Sequence, residues 1–189
     1  MDFIKKNFIL LLAFFLPVLL ISGIALTLYL PSVFLSTDYN FVYATCDYGY
    51  NYYSYNCSQF LNSKFSVENG RLLVKEIDPA QDLDRNGVPD INENYVTRIF
   101  MHNNGSNESR EITLGEAQNL FINNLATSPD GVAVQSGYDR GTDFFIFFDT
   151  SSDYGYYLTK GSKRKKLNLV IGDERYYYRD NFKFIGWVE

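Results

Sequence analysis

The stretch Ser128-Pro129-Asp130-Gly131-Val132-Ala133-Val134-Gln135-Ser136 decides the fold class, because a strong turn is followed at once by a strand-like segment. Proline presets φ, aspartate bonds to nearby backbone and glycine supplies positive φ, so Ser128 to Gly131 is a turn. Val132 to Ser136 then reads as a strand. Toward the C-terminus, aromatic and β-branched runs recur at Phe144 to Phe148, Tyr154 to Thr159, Lys166 to Ile171, Tyr176 to Arg179 and Phe182 to Val188. Short strands in series pack most simply as an antiparallel meander. Phe144-Phe145-Ile146-Phe147-Phe148 is apolar on both faces, which predicts a central strand, since an edge of that composition would invite aggregation.

Toward the N-terminus, Thr113-Leu114-Gly115-Glu116 forms a capping box, and Leu114, Ala117, Leu120, Phe121 and Leu125 fall at helical spacing. The spacing predicts one short helix over about 114–125, the only helix expected after residue 31. Tyr95 to His102 and Ser109 to Thr113 flank the turn Asn103 to Asn107 and read as a hairpin. Arg71 to Glu76 and Val33 to Thr45 read as further strands. With 16 Tyr and 16 Phe in 189 residues, the chain suits pleated surfaces.

Phe8 to Leu30 runs for 23 residues without a charge. A bilayer core needs roughly 20 such residues, so this is a transmembrane helix. Lys5 and Lys6 precede the run and the first base after it is Lys64, which places the N-terminus in the cytoplasm. The expected organisation is a cytoplasmic 1–7, an anchor at 8–30 and one extracytoplasmic β-rich domain at 31–189. A cleaved signal peptide ending near Gly23-Ile24-Ala25 is the competing reading; the apolar run through Leu26, Leu28 and Leu30 exceeds the usual apolar region of a signal. The fold class expected is therefore mainly β, an N-terminal transmembrane helix followed by one antiparallel, blade-like meander with one short helix.

One segment places oxygen ligands at regular intervals. Asp82, Asp84 and Asn86 supply side chains at positions 1, 3 and 5 of a twelve-residue loop, Val88 a carbonyl at 7, Asp90 a carboxylate at 9 and Glu93 a bidentate carboxylate at 12, with Gly87 at the sharp turn. The pattern resembles the EF-hand loop, but a strand-like Leu72 to Ile77 and Asp78-Pro79 precede it, and Pro89 replaces the usual aliphatic residue. It is more similar to the helix-poor calcium loops of thrombospondin type 3 repeats. That resemblance implies a structural Ca2+ ion, bound at extracellular concentrations. A metal-free turn is the alternative, because Asn86-Gly87 is also a hairpin signal. A second likeness covers 128–171: the Ser-Pro-Asp-Gly turn with Tyr157-Leu158-Thr159 and Lys166-Leu167-Asn168-Leu169 resembles one blade of a TolB-type β-propeller. It implies a blade-like sheet and no function, since a closed propeller takes at least four blades.

Cys46 and Cys57 are the only cysteines, and on the extracytoplasmic side a disulfide between them is expected. His102, the single histidine, ends a strand beside a turn and is expected at the surface rather than in a catalytic role. Lys160, Lys163, Arg164, Lys165 and Lys166 read as a solvated turn, with anionic lipid head groups or a cell-surface polymer as the open alternative. The net charge of −5 argues against nucleic acid. Asn56, Asn104 and Asn107 lie in glycosylation sequons.

Two function classes follow. The first is a non-enzymatic, calcium-stabilised binding or structural domain whose exposed tyrosines, Tyr52, Tyr53, Tyr176, Tyr177 and Tyr178, contact a glycan or a surface protein. The second is an envelope hydrolase of glycosidase type using paired carboxylates, which leave no short sequence signature.

Overall fold

Phe41-Val42-Tyr43-Ala44-Thr45-Cys46-Asp47 alternates bulky aromatic with small or aliphatic side chains, and this strand organises the molecule. In the computed structural model, residues 6–33, 35–47, 57–78, 80–82, 87–90, 95–138, 154–170 and 181–189 are described, without the side chains of 25 and 27–33. After helix α1 (Phe8–Val33), strand β1 (Phe41–Asp47) is followed by α2 (Cys57–Lys64), β2 (Phe65–Glu68), β3 (Arg71–Val74), β4 (Val96–Asn103) and β5 (Glu108–Ile112). Then come α3 (Leu114–Asn119), β6 (Ile122–Asn123), β7 (Ala133–Tyr138), β8 (Tyr154–Lys160), β9 (Lys163–Lys166) and β10 (Phe182–Val188).

The strands make a five-stranded antiparallel sheet in the order β5-β4-β1-β10-β6, a three-stranded sheet β7-β8-β9 and the hairpin β2-β3. The fold is mainly β and antiparallel, as expected, but it is not one meander. Sequential pairing holds for β4-β5 and for β7-β8-β9, whereas β10 returns to pair with β1, far away in sequence. The reason is burial on both faces of β1. Val42, Ala44 and Cys46 point into one core with Ile99, Ile112, Ile122 and Ile185, covered by Leu61 of α2, Phe65 and Leu72 of the hairpin and Ala117 of α3. Phe41 and Tyr43 point the other way, with Phe100 and Trp187, against Tyr156, Leu158, Leu167 and Leu169 from the second sheet and the strand's end, together with Val132 and Leu35. A strand covered on both sides needs neighbours that alternate likewise, and β4 and β10 supply them.

A register shift between Val42 and Tyr43 leaves Ile185 as an extra residue in β10. Such a bulge bends the strand and reorients side chains; Ile185 joins the aliphatic core while Trp187 stays in the aromatic one. Gly186 beside it admits no side chain, because a Cβ there would lie 2.5 Å from the Asn123 carbonyl oxygen.

Several expectations are corrected. The predicted helix over 114–125 ends at Asn119, where Leu120 is extended. The Arg71 guanidinium donates to the Asn119 and Leu120 carbonyls, and the chain turns away so that Ile122 and Asn123 can pair with β10. Thr113 does cap the helix, accepting from the Glu116 amide at 3.2 Å. Helix α2 was not expected, although Cys57, Phe60 and Leu61 sit on one buried face at helical spacing. Strand β2 was not expected either; it pairs with β3 through a turn at Asn69 (φ 52) and Gly70 (φ 75). Phe144 to Phe148 lie outside the described residues; among the described strands, β1 is buried on both faces.

Helix α1 extends past the predicted span to Val33 and is 26 residues long. Apart from half-buried Leu11, its large side chains from Phe8 to Ile21, and Leu26, are exposed, Ile9 at 83%. Among the described residues, no helix is long and apolar enough to cross a membrane.

Candidate functional site: the acidic loop at 82–93

The loop follows β3 through a short turn in which Asp78 Oδ1 accepts from the Ala80 amide at 3.0 Å and the Gln81 amide donates to the Asp78 carbonyl at 2.9 Å. Asp82 Oδ2 accepts from the Gly87 amide at 2.9 Å, folding position 1 of the loop onto position 6. Gly87 has φ +88, a conformation that side-chain-bearing residues rarely adopt, with open space where a Cβ would stand. The Asp90 amide donates to the Gln81 carbonyl at 2.7 Å, so the backbone at position 9 is tied to the residue just before position 1. The carboxylates of Asp82 and Asp90 thus belong to one closed loop.

Asp90 is only 2% exposed. Removing a carboxylate from water is costly unless hydrogen bonds or a cation compensate it. Val88, the expected carbonyl ligand, lies between them with its side chain 43% exposed. Asp84, Asn86 and Glu93 lie outside the described residues. Among the described residues, no group of three or more His, Cys, Asp or Glu side chains is gathered where it could hold a metal.

The other expected sites are placed as follows. Cys46 at the end of β1 and Cys57 at the start of α2 are bridged, with Cα atoms 6.5 Å apart. The tyrosines expected to form a binding surface, Tyr52, Tyr53, Tyr176, Tyr177 and Tyr178, lie outside the described residues. The basic run is not merely a turn: Lys163 to Lys166 form β9, joined to β8 by a tight turn with Gly161 at φ +60. Asp130 accepts from Thr37 Oγ1 at 2.9 Å and from the Ser128 hydroxyl, and Lys160 Nζ donates to the Asp130 carbonyl at 2.6 Å. Burial raises the Asp130 carboxyl, but these hydroxyls and Lys160 outweigh it and hold the group below the usual range.

His102, expected at the surface, lies inside the fold. It is fully buried, its ring 4.9 Å from that of Phe41, because β4 presents Phe100 and His102 to the aromatic face of the sheet. Its Nδ1 lies 2.9 Å from Ser109 Oγ, which itself donates to the Asn168 carbonyl at 3.3 Å. The serine hydroxyl therefore accepts, and Nδ1 carries the proton. Burial lowers the imidazole to about 4; a hydrogen bond with Asn107 opposes this, and the charge of Lys165 adds to it. The ring is neutral at physiological pH. Asn104 is also buried, at 1% exposure, and a glycan there is incompatible with the fold.

Compared with protein-family models, curated proteins and solved structures, the chain matches none of them.

Proposed function

We propose that the protein is a single-pass membrane protein with an extracytoplasmic β domain, in which the loop at 82–93 binds Ca2+ as a structural clamp. In this reading the domain binds a glycan or surface protein, or serves structurally, and carries out no reaction. The Asp82 carboxylate folded onto the Gly87 amide is the observation that carries the clamp, since it closes the first position of the loop onto the glycine at its sharp turn. Asp82, Asp84, Asp90 and Glu93 repel one another until a cation compensates them. Asp82, Asp84, Asn86, Val88, Asp90 and Glu93 would hold the ion, which ties the end of β3 to the start of β4. The anchor rests on the sequence run Phe8 to Leu30, whose 23 residues carry no charge, where a bilayer core needs roughly 20 apolar residues. The bridged Cys46 and Cys57 suit an oxidising compartment.

Calcium titration of the full chain in detergent, followed by calorimetry and thermal unfolding, tests the clamp. Binding is expected with a dissociation constant of roughly 10⁻⁴ to 10⁻³ M. At about ten times that constant the ion stabilises the fold by about 1.4 kcal/mol. Asp82→Asn keeps the acceptor for Gly87 but removes a charge, and should weaken binding at least tenfold. Absence of both heat and stabilisation at millimolar calcium sinks the clamp.

An envelope hydrolase with paired carboxylates has less behind it. Such enzymes hold two carboxyl groups about 5 to 10 Å apart around a substrate. Here Glu68, Glu111 and Glu116 are engaged by Lys75, Arg98 and Arg110, and Asp130 by hydroxyls.

A further inference from the structure

The two larger sheets share the aromatic core, and beside it side chains tie one sheet to the other. At the turn of the β4-β5 hairpin, the Asn107 carboxamide donates to the Lys166 carbonyl at 3.2 Å and accepts from the Asn168 amide at 3.2 Å. One amide bonded to a carbonyl and to the N–H two residues on takes the place that a neighbouring strand would fill. Ser109 adds a third contact, donating to the Asn168 carbonyl at 3.3 Å. His102 is the register partner of Ser109, and its Nδ1 lies 2.9 Å from the serine hydroxyl.

The chemistry of the imidazole couples it to this seam. The Ser109 proton is given to Asn168, so the hydroxyl accepts from Nδ1 and the neutral ring carries its proton there. A second proton would go to Nε2, which is buried without a hydrogen-bond partner among the described residues, in a ring 4.9 Å from that of Phe41. An enclosed cation of this kind is costly. Among the described residues, the ionisable groups on the elements packed around it leave that cost standing. Lys165 and Lys166 across the seam bear the same charge, Glu111 shares the sheet face but is bonded to Arg98, and Tyr43 and Tyr156 in the aromatic core are neutral. Burial disfavours the charged ring, whereas a hydrogen bond with Asn107 favours it, and Asn107 is the side chain that holds Lys166 and Asn168. An imidazolium therefore gains by drawing Asn107 off the seam or by turning out to water, and either movement undoes the same contacts.

We propose that His102 is an acid-operated latch: the neutral ring keeps the β4-β5 turn locked onto residues 166–168, and its protonation frees that turn and opens the seam between the sheets. Helices α2 and α3 and the β2-β3 hairpin pack on the other face of the five-stranded sheet, so the opening leaves them in place. Enclosed, the ring takes up its proton only at about 4, against 6.5 once it reaches water. The opening equilibrium should therefore rise about 25-fold from roughly pH 7.5 to roughly pH 5.

The full chain in detergent carries its own probes, one histidine and one tryptophan. NMR of the His102 ring gives its titration and tautomer. Acrylamide quenching of Trp187, which is fully buried, reports access to the aromatic core, and amide exchange corrected for intrinsic rates shows where the fold opens. On acidification, protection over 103–109 and 163–169 is expected to fall about 25-fold and Trp187 quenching to rise, while β2-β3 keeps its protection. His102→Gln should abolish this response. Asn107→Ala should loosen the same two segments already at neutral pH. Protection lost in every layer together, an acid response that survives His102→Gln, or a ring titrating near 6.5 with Trp187 still shielded overturns the latch. If His102→Gln does not fold, unaltered protection of 163–169 in Asn107→Ala overturns it as well.

Discussion

At the residue scale, His102 shows how one position couples packing to pH. A histidine beside an Asn/Gly turn reads as exposed, yet the two-residue period of β4 carries it to the face shared with Phe100. There Phe41 covers it. The unfolded chain takes up a proton near pH 6.5, whereas the folded ring resists until about 4. The unfolded state therefore binds more protons between those values, and stability falls as pH drops through that window. Above it the contribution is constant. Denaturant unfolding at a series of pH values should show a loss approaching roughly 3 kcal/mol by pH 4. His102→Gln should flatten that part of the curve; an unchanged slope would assign the acid sensitivity to other groups. The spacing of acidic residues along the loop at 82–93 is local and legible in the sequence, whereas the burial of Asp90 is not.

At the element scale, α2 illustrates how a short helix survives against weak intrinsic preference. Eight residues are too few to be stable alone in water, so tertiary partners must supply the rest. Leu61 enters the aliphatic core, the disulfide holds the first residue, and Lys183 of β10 caps the other end. Its ammonium donates to the Asn62 carbonyl at 3.2 Å, to the Leu61 carbonyl at 3.4 Å and to the Phe65 carbonyl. Burial lowers its pKa. A cation at helix carbonyls is favourable by charge and by hydrogen bonding. Lys183→Met, which keeps the aliphatic stem, should cost about 1 to 2 kcal/mol in denaturant unfolding. A neutral effect would mean that the carbonyls find water as readily. The cue for α2 was present in Cys57, Phe60 and Leu61, but periodicity over eight residues cannot separate a helix from a loop. The same weakness explains the overextended α3, whose last predicted turn was claimed instead by pairing with β10.

At the scale of the whole molecule, the disulfide joins the central strand to the layer covering one of its faces. It links residues separated by 11 positions. A loop of that size constrains the unfolded chain by about 3 kcal/mol. The double variant Cys46→Ser, Cys57→Ser should lose about that much, measured by thermal or denaturant unfolding, and a reductant should do the same to the native chain. Insensitivity to both would show that packing of Cys46 and Cys57 alone suffices.

Local signals determined much by themselves. The uncharged run from Phe8, the turns at Ser128 to Gly131 and Asn103 to Asn107, the Thr113 cap, the strands β4, β5, β8 and β10, the bridged cysteines and the spacing of acidic residues at 82–93 all depend on neighbours within a dozen residues. Tertiary structure decided which strands meet. Residues 41 and 187 become partners because an aromatic face and an aliphatic face must both be buried, and among the described strands β4 and β10 present matching alternation on either side of β1. That pairing also buries His102 and cuts α3 short, while the packing of Leu35 against Leu167 and Leu169 sets the cationic β9 beside the end of α1. Side-chain period is written into consecutive residues; the choice of neighbouring strand depends on complementary surfaces far apart in the chain.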